Sequence, residues 1–368
     1  MNFLDHNFWE SPENFVPDHS LTDSEYRNLY EYCKTNNITH KVMIPTSGST
    51  GKPKLVVLDK SSMIESARSV NNHLNISRDD IWLCCLPTHH VSGLSIYARA
   101  YERSSKVIQM NSKWDPNDFS QLLNKCHATR CSLVPAQLYD IVNSGIKPPM
   151  ALKSLIIGGD QLDTPLHIKS LKLEWPVLRS YGMTEACSQI ATERNKDNGI
   201  EPLNVWSLKI AQDNQILIKG KALFDGYIEF NNNIPKEKSI TIDENGFFHT
   251  GDFGDLVNDK IIIFGRADEQ IKILGEKVQL DKIYSKIKSN SDFDFTLIGT
   301  PDKRKGSKIT MITNNYTAAL SVVTDYNKNA LSIESIAEIK EIDEIPRNEF
   351  GKINRRKLQL TLEKTKDA

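Results

Sequence analysis

IPTSGSTGKPKLVV, residues 44–57, sets hydroxyl side chains, glycines and two lysines between short apolar runs. Gly48 and Gly51 permit backbone conformations that bring amides close to an anion, and Thr46, Ser47, Ser49 and Thr50 add hydroxyl donors. Lys52 and Lys54 offset part of an anion's charge, so the loop reads as a nest of donors for phosphate. The same residue types build ordinary solvated turns. The spacing is not that of a Walker loop, since Gly48 and Gly51 are only three apart and Pro53 follows Lys52.

Outward from this loop, about residues 42–180 alternate short β-branched runs (KVMI, LVVL, IWLCCL, KVIQM, CSLV, LKSLII, PVLRS) with amphipathic ones. SSMIESARSVNNHL, DPNDFSQLLNKC and AQLYDIVNSG are expected helices, the first with Ser61 as N-cap and Glu65 near the position of a capping-box partner. The alternation predicts βαβ units and a largely parallel sheet, with ligands at the carboxyl ends of its strands. Residues 201–266 change texture, with strand-like runs around Asp213-Asn214 and frequent turn signals, and should be mostly antiparallel. Beyond Arg266 a smaller α+β unit is expected, with a hinge at the turn from Gly265 to Asp268. The fold class is therefore α/β and multidomain: a large domain over 1–266, closing in a β-rich section over 201–266, and a small C-terminal domain over 267–368.

At 368 residues the chain can bury a sizeable core, and its formal net charge of −1 gives no global pull toward nucleic acid or anionic membrane. Any charged ligand must be held locally. Six cysteines at 33, 84, 85, 126, 131 and 187 lack paired C-x-x-C spacing, and the start MNFLDHNFWESPENF lacks an export signal. No apolar run approaches bilayer length. These features predict a soluble, cytoplasmic protein with reduced thiols and no membrane span.

Further segments carry chemistry. SYGMTEACSQIAT (180–192) follows a strand and should emerge at the sheet's carboxyl edge: Tyr181 can stack on a purine, Thr184 can donate to phosphate, and Glu185 suits Mg²⁺. The bland alternative is a strand-to-helix junction capped by Thr184. HTGDFGDL (249–256) puts Asp252 in a turn, where its carboxylate could accept from a ribose diol, and FGRADEQIKILGEKV adds Arg266, Lys272 and Gly275. Two ordinary turns would use the same residues. IPRNEFGKINRRKL carries Lys352 beside a glycine, in what could equally be a solvated cationic tail.

In their order, TSGSTGKPK, YGMTE, TGD, GRADEQIKILG and PRNEFGK resemble the adenylate-forming superfamily of acyl-CoA synthetases, nonribosomal adenylation domains and luciferases, over residues 46–352. YGMTEACSQIAT with LPTHHVSGLSI most resembles its o-succinylbenzoate–CoA ligase branch, which serves menaquinone biosynthesis. The resemblance implies two half-reactions, acyl-adenylate formation from MgATP and then transfer to coenzyme A, with a small-molecule carboxylate as the third substrate and a C-terminal domain that rotates between them. Thr46, Ser47, Gly48, Ser49, Thr50, Gly51 and Lys54 would hold the β- and γ-phosphates, and Thr184 and Glu185 phosphate and metal. Gly158, Gly159 and Asp160 with Tyr181 match the adenine wall, and Asp252 and Arg266 would take the ribose. Lys352 would bridge the α-phosphate and the attacking carboxylate; Asp268 sits at the hinge, and Gly275 beside the pantetheine tunnel. His90 matches the acyl-pocket histidine, and His89 replaces an aromatic. Ser92, Gly93, Gly182, Ser188 and Gln189 join the substrate wall. A cationic or donor-rich pocket should hold a second carboxylate, on a residue the sequence does not single out. Only about 45 residues precede Thr46, so an N-terminal subdomain is expected to be reduced, which could reshape the acyl pocket or favour a homodimer.

Overall fold

The hairpin around the opening stretch sets the first strand system. Strands Lys41–Ser47 and Pro53–Asp59 pair antiparallel, with Thr46 opposite Lys54. The expectation that both join the parallel sheet is corrected: the connection between them is far shorter than the dozen or so residues that a parallel crossover needs. The second strand pairs with Gly226–Asn231, and that with Ile234–Ser239, giving a separate sheet of four. The computed structural model describes residues 3–17, 21–47, 53–195, 199–266, 270–274, 276–289, 291–302, 304–347, 353 and 355–364.

Helix Lys60–His73 follows the hairpin at once, and its cap is Asp59 rather than Ser61. Asp59 Oδ1 accepts from the Ser61 amide at 2.8 Å and the Ser61 hydroxyl at 2.6 Å, so the carboxylate two residues earlier takes over the capping role. Glu65 pairs with Arg68 instead of closing a box. The buried Lys60 ammonium donates to the carbonyls of Phe8, Ser11 and Glu13 at 2.6, 3.1 and 2.7 Å, which ties the N-terminal segment to the start of this helix.

The second sheet has eleven strands among the described residues. Its parallel part runs, in space, Lys106–Gln109, Ile81–Cys84, Arg130–Leu133, Ser154–Ile157, Val177–Met183. The chain goes from Ile81–Cys84 to one neighbour and then crosses to the other, so the topological switch lies at the carboxyl end of that strand, where LPTHH begins. The remaining strands are antiparallel, and Val177–Met183 joins the two halves by pairing with Ser188–Glu193. Trp82, Phe119 and Trp175 are fully buried around the parallel part.

A helix the sequence patterns did not separate, Val91–Arg103, packs on the sheet directly after the tandem histidines, and is buried on nearly all sides from Gly93 to Ala100. C-terminal to Gln270 the described residues form the expected smaller α+β unit. Strands Phe295–Asp302, Gly306–Thr313 and Ile336–Glu341 carry helices Leu280–Lys288 and Tyr316–Asn329 around Ile283, Phe295, Met311 and Ala319. The basic end continues as helix Arg355–Lys364. No helix among the described residues is long and apolar enough to cross a membrane.

Candidate active site

The turn at the join of the two half-sheets presents the first polar cluster. Strand Val177–Met183 runs into one 3₁₀ turn, Thr184–Ala186, and the chain returns as Ser188–Glu193 rather than entering an α-helix. Cys187 and Ser188 hold φ of 53° and 129°, strained values for side-chain-bearing residues. Gly182 allows the reversal, because a Cβ there would lie 1.7 Å from the Ser188 carbonyl oxygen.

Glu185 leaves this turn toward the hairpin. Its Oε1 accepts from the Tyr227 hydroxyl at 3.0 Å and lies 3.9 Å from Lys54 Nζ, which in turn sits 3.5 Å from the centroid of the Tyr227 ring. Lys54 faces Glu229 across the strand pair, so Tyr227 is its diagonal neighbour on the same face. Burial lowers the Lys54 pKa, with the nearby Glu185 charge opposing the shift. Thr46 donates to the Lys54 carbonyl at 3.5 Å within the hairpin, and the Glu185, Lys54 and Tyr227 contacts bring hairpin, 3₁₀ turn and strand Gly226–Asn231 to one place.

A second cluster forms across the antiparallel half. Tyr181 donates to Asp252 Oδ2 at 2.6 Å, and Arg266 Nη1 lies 3.3 Å from Asp252 Oδ1. Asp252 is not in a turn, as its glycine neighbours suggested: it sits inside the long strand Phe248–Val257, opposite Arg266, with a register shift just beyond it at Phe253/Gly254. The shift absorbs the glycines without ending the strand. The Thr250 hydroxyl accepts from the Asp252 amide at 3.1 Å. Burial, and then the Asp252 charge, push the Tyr181 hydroxyl well above its usual pKa, so it stays a neutral donor. Ser180 Oγ donates to the Ile157 carbonyl at 3.0 Å, which seats Gly158, Gly159 and Asp160, the residues after Ser154–Ile157, beside the Tyr181 strand.

The third cluster lies at helix Val91–Arg103. His90 is its N-cap, with the His89 and His90 ring centroids 4.4 Å apart. The Ser92 carbonyl accepts from Ser95 Oγ, and a Cβ on Gly93 would meet the Pro87 carbonyl at 2.2 Å, so this first turn is pressed onto the LPTHH segment. A cavity of about 500 Å³ opens beside His89, with Phe3, Tyr97, Gln109 and Asn111 in its wall. One turn further along the helix stands a residue the sequence reading missed. Arg99 is 2% exposed, and its Nη2 donates to Ser95 Oγ and to Ser188 Oγ, each at 3.1 Å. Its guanidinium carbon lies 5.7 Å from the Trp82 ring centroid, and its Nε has no partner. Among the described residues no carboxylate pairs with it, and burial brings its pKa down to about 10. Gln189, next to Ser188, accepts from Thr192 Oγ1 at 2.8 Å through its side chain.

Gly48, Ser49, Thr50, Gly51, Lys52, Asp268, Gly275 and Lys352, and the side chain of Ser47, lie outside the described residues. Among the described residues no cluster of three His, Cys, Asp or Glu could hold a metal by itself.

Residues 17–228, more than half of the chain, match the AMP-binding enzyme family. The chain belongs to that family. Among curated relatives, this AMP-binding enzyme is 28% identical over 329 residues to 2-succinylbenzoate–CoA ligase of Staphylococcus epidermidis, covering 85% of this chain and 68% of the relative. It is 27% identical over 331 residues to the Staphylococcus aureus ligase of the same name, covering 85% of this chain and 65% of the relative. The chain thus spans about two thirds of the length of these relatives. Among solved structures, the o-succinylbenzoate coenzyme A synthetase of Bacillus subtilis, in complex with ATP and magnesium ion, superposes with a TM-score of 0.75 at 27% identity, covering 86% of this chain and 69% of that one. The same synthetase in complex with its acyl-adenylate gives a TM-score of 0.74 at 26% identity, covering 86% and 68%. The multidomain α/β architecture with its smaller C-terminal α+β part is that of adenylate-forming enzymes.

Proposed function

We propose that this enzyme is an o-succinylbenzoate–coenzyme A ligase of menaquinone biosynthesis. One carboxylate of the acid attacks the α-phosphorus of ATP, the bond to the β-phosphate oxygen breaks, and pyrophosphate leaves. The coenzyme A thiolate then attacks the acyl carbon, and AMP leaves with the bonding electrons. The protein's task is to position the reactants and to stabilise charge on the transferring phosphoryl group.

Thr46, Lys54 and Thr184, with the loop 47–51, take the β- and γ-phosphates in this reading. Asp252 and Arg266 take the ribose, and Tyr181 with 158–160 walls the adenine. Mg²⁺ fits Glu185: among the described residues only its Oε1 has a polar partner, so Oε2 is left to accept. Bound there, the ion would neutralise phosphate charge. Lys352 bridges the α-phosphate and the attacking carboxylate, Asp268 is the hinge between domains 1–266 and 267–368, and Gly275 borders the thiol's path. The six free cysteines suit a reducing cytoplasm.

The observation that carries the acid's identity is Arg99, a fully buried cation with hydroxyl partners and no counter-charge among the described residues. A guanidinium kept dry in this way is matched by an anionic ligand, here the ring carboxylate that does not react. His90, Ser92, Gly93, Gly182, Ser188 and Gln189 surround the rest of the acid, with His89 at the rim. ATP–pyrophosphate exchange with a panel of carboxylic acids tests the reading. Exchange should be fastest with o-succinylbenzoate, and Lys352→Ala should cut it by several orders of magnitude while ATP binding stays nearly intact. Strong exchange with another acid and none with o-succinylbenzoate would discard the substrate and keep the class.

A further inference from the structure

Tyr227 lies in none of the five segments quoted above, yet it touches both charged groups of the phosphate corner. Its hydroxyl donates to Glu185 Oε1 at 3.0 Å, and its ring lies under the Lys54 ammonium at 3.5 Å. With Lys54 it links the four-stranded sheet to the turn of the eleven-stranded one: Tyr227 pairs with Val56 in the hairpin's second strand, and the Phe224 amide donates to the Glu185 carbonyl at 2.9 Å. Phe224 and Phe248 pack ring to ring at 5.2 Å, and Phe224 and Tyr227 at 4.8 Å, so the phenol stands against a fixed aromatic wall. Facing a carboxylate oxygen, the phenol is the donor of the pair.

We propose that Tyr227 is a positioning residue for the metal. By holding Glu185 Oε1, it turns Oε2 toward the phosphate corner, and by cradling Lys54 on its ring it holds that ammonium at the outer limit of an ion pair with the same carboxylate. The 3.9 Å separation of Lys54 and Glu185, against 3.0 Å for the tyrosine's hydrogen bond, fits this division of labour. Without the hydroxyl, Glu185 Oε1 would be released to turn toward Lys54, and the carboxylate would be less available to a cation. The inference rests on the proposed ATP-dependent function, because it assigns Glu185 to Mg²⁺.

The test is calorimetric titration of ATP into the full chain with and without Mg²⁺, together with the Mg²⁺ dependence of pyrophosphate exchange, for the wild type, Tyr227→Phe, Glu185→Gln and the double variant. Partners that orient a metal ligand are typically worth about 10–100-fold in metal affinity. Tyr227→Phe should therefore raise the Mg²⁺ midpoint by about 10–100-fold in both readouts and leave ATP affinity without Mg²⁺ and the acid KM unchanged. In the Glu185→Gln background the same substitution should add almost nothing. A Tyr227→Phe protein with a wild-type melting temperature and a wild-type Mg²⁺ midpoint would overturn the assignment, as would an undiminished effect in the Glu185→Gln background. If Tyr227→Phe melts early, Mg²⁺-free ATP affinity decides: equal loss with and without Mg²⁺ means a merely structural residue and overturns it. A wild type that binds ATP with no response to Mg²⁺ would instead bring down the functional reading itself.

Discussion

Asp252 and Arg99 are both buried charges, 5% and 2% exposed, and the protein treats them in opposite ways. Asp252 has Arg266 at 3.3 Å and the Tyr181 hydroxyl at 2.6 Å, so this corner, the proposed ribose site, pairs its carboxylate with a cation of the chain itself. Arg99 has two serine hydroxyls, an aromatic face and a bare Nε. Moving a charge out of water costs several kcal/mol even after relaxation, and neutral hydroxyls return only part of that. On the proposed function, the ribose corner serves stability as well as recognition, and the acyl corner is completed by the anionic end of the acid.

Arg99→Met separates the two most sharply. Removing the partner of a buried charge pair costs about 3–5 kcal/mol, so the acid KM should rise by a factor of about 100 or more. Folding stability, measured by denaturant titration, should hold or improve by about 1 kcal/mol, since an uncompensated buried ion has been replaced by an apolar chain. Asp252→Ala should do the reverse to the fold. It removes the buried acceptor of the Tyr181 hydroxyl and the carboxylate 3.3 Å from Arg266, and should cost about 3 kcal/mol by the same titration. The acid alone, at a hundred times its Kd, should stabilise the wild type by about 2.7 kcal/mol in thermal melts and leave Arg99→Met unmoved. Tyr181→Phe, which removes one hydrogen bond from a carboxylate that keeps its arginine, should cost only about 1–2 kcal/mol.

The same contrast explains what the sequence made legible. Tyr181, Asp252 and Arg266 stand in short polar motifs flanked by glycines, and the structure brings the three into one cluster. Arg99 sits in VSGLSIYARAYER beside Glu102 and Arg103, where it reads as one more charge on a solvated helix face; only the packing of that helix against Trp82 and the Ser188 turn buries it. Alternation of strand and helix signals gave the parallel half-sheet its strands, yet it could not tell that KVMI and LVVL form a hairpin in another sheet. Periodicity reports which face of a strand is buried, and says nothing of which strand lies beside it. The turn assigned to Asp252 failed for a related reason, since a bulge and a turn draw on the same glycines.

We propose that this site adenylates an acid whose spectator carboxylate rests on Arg99. Pyrophosphate exchange compared between o-succinylbenzoate and its analogue lacking the ring carboxylate, in the wild type and in Arg99→Met, separates that from the alternatives. The wild type should prefer the full acid by about 100-fold, and the preference should collapse toward unity in the variant. A wild type indifferent to the ring carboxylate, or a variant that keeps the full preference, would contradict it.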